Sequence, residues 1–438
     1  MIHILVKQPE NRLIYTLSVM FETIFQIPYN IILLEKFEAN PAIFTLNYTS
    51  LFIPNTLQIP NKSFVSEGDK HKPFLLDEHI SFRQNWEVPP ISPQAENVFP
   101  FDIFSAVFYL LSDYEKYQFS FFDAHQRYDE KSYPSYKMQL FKTPLVTILC
   151  DELLRFFPNN LRDLAKKNKK YTYKITFDID NPWKHKHKAL PIQVAGFVKN
   201  ILACNKENLF ERWTILKGRK DVNDTFEEII SLCPPSKTQF FCLIDRHSVY
   251  DTRFTYKHPQ LRLLLQSLSE KGYAMGIHPS YTSFDSEKKI AFETEQLTHI
   301  INVPITDSRQ HFLRYRLPDT FRYLQKAGIT EDYTLCLRND IGFPCGMALP
   351  FKWYDLEKEE ISNLTLHPTL AMDRALQQYM QLSPAEALEK VRDLVETVRQ
   401  IGGEMVMVFH NESLSESGEW KGWSEAIREM IAVISSRR

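Results

Sequence analysis

Short apolar runs that alternate with longer helical stretches are the feature that most constrains this sequence, and they begin at Tyr171. The candidate strands are 174–180, 239–245, 274–278, 307–313, 333–337, 362–366 and 404–410. Helical stretches separate most of them, at 261–271, 287–301, 318–327, 384–400 and 422–435. This alternation is typical of a parallel α/β sheet or barrel. We therefore predict an α/β fold for the carboxyl-terminal part of the chain.

The amino-terminal part differs in composition and in the length of its apolar runs. It is rich in aromatic residues, and its apolar runs at 31–34 and 42–46 have the length of strands rather than helices. Two stretches, 101–117 and 144–157, predict helices, and the first carries an apolar stripe wide enough to face a core. This part of the chain is therefore predicted to be a smaller α/β unit.

A polar and basic segment, 159–170, separates the amino-terminal part from the carboxyl-terminal part. The chain has 438 residues, which is enough for two domains of ordinary size. We therefore predict an amino-terminal domain at 1–165 and a second domain at 171–438.

Composition argues against several kinds of partner and location. Lys plus Arg number 52 and Asp plus Glu number 54, so the net charge of −2 gives no general attraction for nucleic acid or an anionic membrane. Twelve glycines argue against glycine-rich phosphate loops. The sequence contains no run of about 20 apolar residues, so we expect neither a signal peptide nor a membrane span. The six cysteines form no C-x-x-C pair and are typical of reduced thiols, so we expect a cytoplasmic protein.

Ionisable residues cluster where the predicted strands end. They are Asp178, Asp180, Asp245, His247, His278, Arg309, His311 and His410. In parallel α/β folds ligands bind beyond the carboxyl ends of the strands. Aspartates at i and i+2 of one strand share a face, and two like charges there raise one pKa unless a cation lies between them. By itself, an Asp-x-Asp at a strand end can equally be a helix cap or a loop ligand.

The segment Thr-Phe-Asp-Ile-Asp at 176–180 resembles the first motif of the polysaccharide deacetylase superfamily, the metal-dependent carbohydrate esterases with a NodB homology domain. The resemblance implies that Asp178 is the catalytic base and that Asp180 is a metal ligand. The segment at 276–282 resembles the second motif, His-Ser/Thr-x-x-His, and His278 matches its first metal-binding histidine. Thr282 stands where the second histidine is expected.

Two further segments complete the resemblance, which covers 171–438. Arg309 lies where the third motif, Arg-x-Pro, is expected, with His311 in place of the proline. The segment at 408–411 resembles the last motif, Leu-x-His, whose histidine is the catalytic acid and corresponds to His410. The aromatic-rich amino-terminal region resembles the extra region of one bacterial branch of the family.

The resemblance implies a distorted (β/α)7-type barrel and a hydrolase that removes acetyl groups from N- or O-acetylated saccharides. The expected cofactor is a divalent metal, zinc first, with nickel, cobalt or manganese as alternatives. The predicted catalytic residues are Asp178, His410 and Arg309, and the predicted metal ligands are Asp180, His278 and His311. His311 is assigned because it lies two residues after Arg309 and imidazole suits zinc.

Alternatives stay open from the residues alone. His278 can be a loop histidine, His410 can bond a carbonyl group, and Arg309 can form a structural ion pair with Asp178 or orient it. Thr282 can supply the third ligand through its hydroxyl, although hydroxyls are poor zinc ligands. If no metal binds, the chain is a non-catalytic member that binds a saccharide or a partner protein. Another small amide is the third possible substrate.

Two other patterns favour structural roles. The His-Lys-His-Lys segment at 185–188 is interpreted as a solvated surface strip rather than a metal-binding tract. Trp420 and Trp423, three residues apart, indicate core or lid packing more than stacking on a sugar.

Overall fold

The computed structural model describes residues 1–62, 64–65, 97–188 and 190–436. The chain divides into two units, each assembled from three segments. The first unit contains Met1–Thr172, Gly342–Pro368 and Val398–Glu404, and the second contains Tyr173–Ile341, Thr369–Thr397 and Met405–Arg438. The sequence did not predict the two later segments of the first unit.

The strands of the described chain are β1 Ile2–Val6, β2 Tyr29–Leu33, β3 Phe44–Asn47, β4 Leu57–Gln58, β5 Thr172–Ile179, β6 Thr238–Cys242, β7 Ala274–Ile277, β8 Asp307–Ser308, β9 Glu331–Asp332, β10 Phe351–Asp355, β11 Glu360–Leu366, β12 Ala371–Met372 and β13 Glu404–His410. The α-helices are α1 Asn11–Leu17, α2 Ile103–Leu111, α3 Glu115–Gln118, α4 Pro134–Lys137, α5 Leu145–Leu154, α6 Asn159–Asn168, α7 Leu190–Leu202, α8 Lys206–Leu216, α9 Phe226–Leu232, α10 Pro259–Glu270, α11 Glu287–Ile301, α12 Asp319–Lys326, α13 Pro384–Ile401 and α14 Ser424–Ser435. Two π-helical segments, Ser18–Phe25 and Ala375–Tyr379, are also present.

The first unit is built on a parallel sheet of order β2-β1-β3-β4. Helix α2 is buried along its whole length. Its cap, Asp102, accepts from the backbone N–H of Ser105 at 3.0 Å and from the Tyr48 hydroxyl at 2.9 Å. A capping carboxylate of this kind satisfies a free N–H at the start of the helix. The predicted α/β character of this part of the chain is therefore present.

The antiparallel hairpin of β10 and β11 also belongs to the first unit. Arg12 of α1 reaches the turn of this hairpin, where its Nε and Nη2 lie 2.9 and 2.6 Å from the two carboxylate oxygens of Glu359. The hydroxyl of Tyr15 donates to the carbonyl oxygen of Lys352 at 2.8 Å. These long-range contacts explain why the hairpin groups with the amino-terminal part of the chain.

The second unit contains seven strands in the order β9-β8-β7-β6-β5-β13-β12. Strands β5 to β9 pair in parallel, and β12 pairs in parallel with β13. The rings of Phe177, Phe240 and Phe409 lie in the core of this sheet, with 5.7 Å between the centroids of Phe177 and each of the other two. Among the described residues no ladder joins β9 to β12, although an isolated parallel bridge pairs Cys336, after β9, with Thr369, before β12. The predicted α/β class is confirmed, but a barrel closed by continuous strand pairing is not seen in the described residues.

Several predicted bounds differ from the structure. Strands β5, β6, β7 and β13 lie where expected, whereas the run 307–313 is a strand only at its first two residues. The run 333–337 follows β9 instead of forming a strand, and 362–366 lies in β11 of the first unit. The seventh parallel strand is β12, which is only two residues long and too short for an apolar-run signal.

The basic segment 159–170 was expected to separate two domains. Most of it forms helix α6, in which Leu161 and Ala165 are buried. Because only these two positions are buried, the rest of α6 can be polar, and its composition resembles that of a linker. No helix within the described ranges has the length and apolar composition needed to cross a bilayer.

The Arg12–Glu359 pair gives a test of how the hairpin is held. Both side chains are largely buried, so Arg12→Met leaves a carboxylate with little access to water. We expect the free energy of unfolding, measured by urea denaturation, to fall by about 1–3 kcal/mol. Arg155→Met is the matched control, because Arg155 is half exposed beside Glu152 and its loss is expected to cost less than about 1 kcal/mol. Equal effects of the two substitutions would contradict this role for Arg12.

Candidate metal and acid–base site

The carboxyl ends of four parallel strands bring the predicted site residues together in the second unit. Asp178 and Asp180 come from the end of β5, and His278 follows β7. Arg309 and His311 follow β8, and His410 is the last residue of β13. All except Asp180 are at least nine-tenths buried. The arrangement follows from the parallel order, which places these strand ends at one edge of the sheet.

The donor atoms of Asp180, His278 and His311 all lie within 4.8 Å of one another. His278 Nε2 is 3.4 Å from Asp180 Oδ1, and His311 Nε2 is 3.7 Å from Asp180 Oδ2. Ligands held about 2.0–2.1 Å from a tetrahedral zinc ion are about 3.4 Å apart. The two separations are therefore long for hydrogen bonds, but they are close to the distance between two ligands of a tetrahedral zinc ion.

The tautomer of His278 leaves one nitrogen available as a ligand. Its Nδ1 lies 2.5 Å from the carbonyl oxygen of Arg309, which can only accept, so Nδ1 carries the proton. Burial lowers the pKa of His278 and opposes its protonation. The Nε2 lone pair of the neutral ring consequently faces Asp180, as a metal-binding histidine requires.

Asp180 is the centre of the arrangement. Its Oδ1 is buried and has no hydrogen-bond partner among the described residues. Burial would raise the pKa of Asp180, but His311, His278 and His410 together hold it well below its ordinary value. A buried carboxylate oxygen without a donor is costly, and a bound cation would satisfy it.

His311 has a carboxylate on each side. Its Nδ1 lies 3.3 Å from Asp251 Oδ1, and its Nε2 faces Asp180. Burial alone would lower the pKa of His311, yet the two carboxylates raise it to about 9. Asp251 also accepts from the backbone N–H groups of Tyr281 and His247, at 2.6 and 3.0 Å. Asp251 therefore fixes the His311 ring, although Asp251 was not predicted from the sequence.

Arg309 is fully buried and pairs with Asp178. Its Nη1 donates to Asp178 Oδ1 at 2.8 Å and to the Thr176 hydroxyl at 2.9 Å. Its other donors reach the Thr369 hydroxyl and the Tyr333 carbonyl oxygen, both at 3.2 Å. The guanidinium is thus held on several sides, so it orients Asp178 as well as compensating its charge.

His410 is held by a residue that sequence reasoning missed. Its Nδ1 lies 2.8 Å from Asp373 Oδ1, and its backbone N–H donates to Asp373 Oδ2 at 2.7 Å. Burial would lower the pKa of His410, but Asp373 raises it to about 9, so the ring is protonated at neutral pH. The Nε2 of His410 points toward Asp180 Oδ2 at 3.7 Å. The one sequence signal for Asp373 is its place directly after the apolar pair of β12.

The hydroxyl of Thr282 is engaged by a lysine side chain. Its hydroxyl oxygen accepts from Lys289 Nζ at 2.8 Å. The lysine charge beside this oxygen opposes coordination of a cation there. Thr282 is therefore a poorer candidate for the third ligand than His311.

A second group of potential ligands contains Asp245, His247 and Glu293. Glu293 is already occupied, because the hydroxyls of Ser280 and Ser283 donate to its Oε1 at 2.7 and 2.6 Å, and the Ser280 N–H reaches Oε2 at 2.8 Å. Glu293 thus holds the loop that follows His278. This occupation favours a structural role for the group.

A cavity of about 510 Å³ lies beside the site. Asn181, the neighbour of Asp180, and Glu412, two residues after His410, contribute to its wall. The complete lining is Asn181, Trp183, Lys184, Lys188, Asn223, Glu412, Ser415, Ser417, Gly418, Glu419 and Trp420. Trp420 is almost fully buried, and its indole N–H has no hydrogen-bond partner in the described chain.

The segment 185–188, expected to be a solvated strip, is partly buried. His185 is buried and its Nε2 lies 2.8 Å from Glu211 Oε2, whereas Lys188 lines the cavity. Trp423 packs against Trp420, with 5.9 Å between ring centroids, so packing of these rings was expected correctly.

Comparisons with known proteins cover the two parts of the chain separately. Residues 2–161 match the model of a family of unknown function, DUF7033. The sequence matches none of the curated proteins with which it was compared.

Solved structures resemble the chain at low identity. One is a Mycobacterium smegmatis protein classed as a polysaccharide deacetylase, with 19% identity, a TM-score of 0.40 and coverage of 61% of this chain and 85% of that one. Another is PuuE allantoinase, with 11% identity, a TM-score of 0.36 and coverage of 60% and 84%. A Pseudomonas aeruginosa PAO1 protein, also classed as a polysaccharide deacetylase, has 9% identity, a TM-score of 0.36 and coverage of 61% and 85%. Similarity at this level carries no information about chemistry.

Metal binding can be tested without any assay of activity. We expect the full chain to bind Co²⁺ with the visible absorption of a tetrahedral site, and His311→Ala to weaken binding by at least about tenfold. Thr282→Val is the matched control and is expected to bind as the parent does. If Thr282→Val binds Co²⁺ more weakly and His311→Ala binds it as the parent does, then Thr282 and not His311 is the third ligand.

Proposed function

We propose that the chain is a metal-dependent hydrolase that removes an acetyl group from the amino or hydroxyl group of a saccharide. The observation that carries the proposal is the Asp180 carboxylate, whose buried Oδ1 has no donor among the described residues. Two imidazole nitrogens lie 3.4 and 3.7 Å from its oxygens, close to the separation of two ligands on one zinc ion. Asp178 and His410 lie beside it, and each is held by its own partner. The site thus joins a metal-ligand set with a base and an acid.

The residues present fit a divalent metal. Asp180, His278 and His311 supply one carboxylate and two imidazoles, a donor set that suits zinc, with nickel, cobalt or manganese as alternatives. When bound there, such an ion would act as a Lewis acid toward water and the acyl oxygen.

Asp178 is proposed as the general base. Its Oδ1 is committed to Arg309, whereas Oδ2 lies 3.8 Å from His278 Nε2 and faces the site. Because Arg309 fixes the carboxylate, the free oxygen is positioned to take a proton from a water molecule. Arg309 acts through Asp178 and is a positioning residue.

His410 is proposed as the general acid. An amine or alkoxide is a poor leaving group and needs a proton as the bond to carbon breaks. His410 carries that proton at neutral pH because Asp373 stabilises the imidazolium. The proton on Nε2 points toward the site, since Nδ1 is occupied by Asp373.

The cavity supports a saccharide as the substrate. Its wall combines two tryptophan side chains with lysine, asparagine, serine and glutamate side chains. Indole faces suit the C–H faces of a sugar ring, and closely spaced polar groups suit its hydroxyls. Trp420 contributes the aromatic ring nearest in sequence to His410, with 2% of its surface exposed.

A second function has one specific observation in its favour. Thr282 occupies the position at which the resemblance requires a metal-binding histidine, and its hydroxyl is engaged by Lys289. If the remaining ligands do not hold a metal, the cavity would bind a saccharide without hydrolysing it. Metal affinity of the parent protein separates the two functions.

Base and ligand roles give different outcomes on substitution. Asp178→Asn is expected to keep bound metal and to lower kcat by about 10²–10⁴-fold, because an amide cannot accept the proton. Asp180→Ala is expected to lose both metal and turnover. The measurements are metal content and rates on a panel of N- and O-acetylated saccharides, with non-sugar amides for comparison. Turnover that survives in Asp178→Asn would exclude its role as the base.

The cavity assignment is tested by the indole of Trp420. Trp420→Ala removes an aromatic ring from the cavity wall, so KM for the saccharide is expected to rise about tenfold while kcat changes little. Trp423→Ala, three residues away and not part of the cavity wall, is the matched control. Equal KM values for the two variants would place the saccharide elsewhere.

A further inference from the structure

The second unit exposes an unusually apolar helical hairpin, formed by α7 and α8. It holds nine of the 22 large hydrophobic side chains that are exposed in the described part of the chain. Six are on α7, at Leu190, Val194, Phe197, Val198, Ile201 and Leu202. Exposed apolar side chains that gather in one place mark a binding surface, whereas single ones do not.

The apolar residues of each helix follow helical spacing. On α7 they recur every three or four residues, and on α8 Phe210, Trp213 and Leu216 are three apart. Such a stripe normally faces a core. Here no residue of α7 is buried, and Leu202 and Leu216 are 80% and 78% exposed. The sequence therefore provides an amphipathic face that the described chain leaves uncovered.

The other side of the hairpin is attached to its own unit. Glu211 of α8 is buried and lies 2.8 Å from both His185 Nε2 and Lys184 Nζ, in the loop that precedes α7. Arg212 Nη1 donates to the Gln193 carbonyl oxygen at 3.4 Å and joins the two helices. The anchored face is thus polar, and the free face is apolar.

The hairpin segment also carries an excess of exposed basic side chains. Lys199, Lys206, Lys217 and Arg219 are exposed in the segment 190–220, and Lys220 is exposed but lies 2.6 Å from Glu227. Glu207 is its one exposed carboxylate, because Glu211 is buried. The net charge of −2 for the whole chain does not reveal this local excess of basic residues.

From these two observations we propose that the α7–α8 hairpin binds the surface of an anionic lipid bilayer. The apolar stripe would enter the boundary between headgroups and acyl chains, and the lysines and arginine would contact the anionic headgroups. Lys217 Nζ lies 3.6 Å from the centroid of the Trp213 ring, which combines the two kinds of contact at one point. Trp and Phe are suited to this interfacial depth.

Charge distinguishes the bilayer from a second copy of this chain. Two hairpins facing each other would bring two sets of exposed cations together with few carboxylates between them, which costs free energy. An anionic bilayer satisfies the cations and the apolar stripe at once.

The test uses the full chain and vesicles in a co-sedimentation assay. We expect binding to phosphatidylcholine vesicles that contain about one third phosphatidylglycerol, at least about tenfold tighter than to pure phosphatidylcholine and weakened by salt. Phe210→Ser with Trp213→Ser is expected to weaken binding at least about tenfold, because the stripe loses its two interfacial rings. Lys217→Glu with Arg219→Glu is expected to abolish the preference for anionic vesicles.

Leu263→Ser is the matched control, since Leu263 is 58% exposed on α10, outside the hairpin, and its loss is expected to leave binding unchanged. Far-ultraviolet circular dichroism checks that every variant is folded. Absence of binding by the parent, or equal binding to neutral and anionic vesicles, would overturn the proposal. A parent dimer that Phe210→Ser with Trp213→Ser converts to monomer, without vesicle binding, would assign the surface to a second copy instead.

Discussion

The buried carboxylate of Asp180 is the charge on which the arrangement of the site depends. It lies among the imidazoles of His278, His311 and His410, which together lower its pKa strongly against the effect of burial. One of its oxygens has no donor, so these rings do not complete its environment. A carboxylate in this position is expensive unless a further positive charge joins it. The geometry therefore offers a place that a cation could occupy.

Several neighbouring residues hold the side chains around Asp180 in place. The carbonyl group of Arg309 selects the tautomer of His278, while its guanidinium holds Asp178. One residue thus fixes the candidate ligand His278 and the candidate base Asp178 together. Asp373 orients the ring of His410, and Asp251 orients the ring of His311, because each carboxylate lies within hydrogen-bond distance of the imidazole Nδ1. Such outer partners set the chemistry of the inner residues.

Sequence patterns located the strand ends well where a strand is long and apolar, as in β5 and β13. They did not locate β12, because two residues carry no periodic signal. They also predicted 362–366 as one of the parallel strands, whereas β11 pairs antiparallel with β10. Apolar runs indicate that a segment forms a strand, but they do not indicate which strand it pairs with or in which direction. The long-range Arg12–Glu359 contact that holds this hairpin could not be read from spacing.

The sequence by itself determined which ionisable residues stand at the strand ends, since the two-residue period and the parallel order bring such residues to one edge. The spacing of the apolar residues of α7 and α8 is also present in the sequence, although these two helices were not predicted from it. Only the tertiary structure decided that Asp373 and Asp251 face His410 and His311, and that the apolar stripe of the hairpin lies outside the core. The physical reason is that local periodicity fixes the direction of a side chain relative to its own element. What lies opposite that side chain depends on packing between elements that are distant in the sequence.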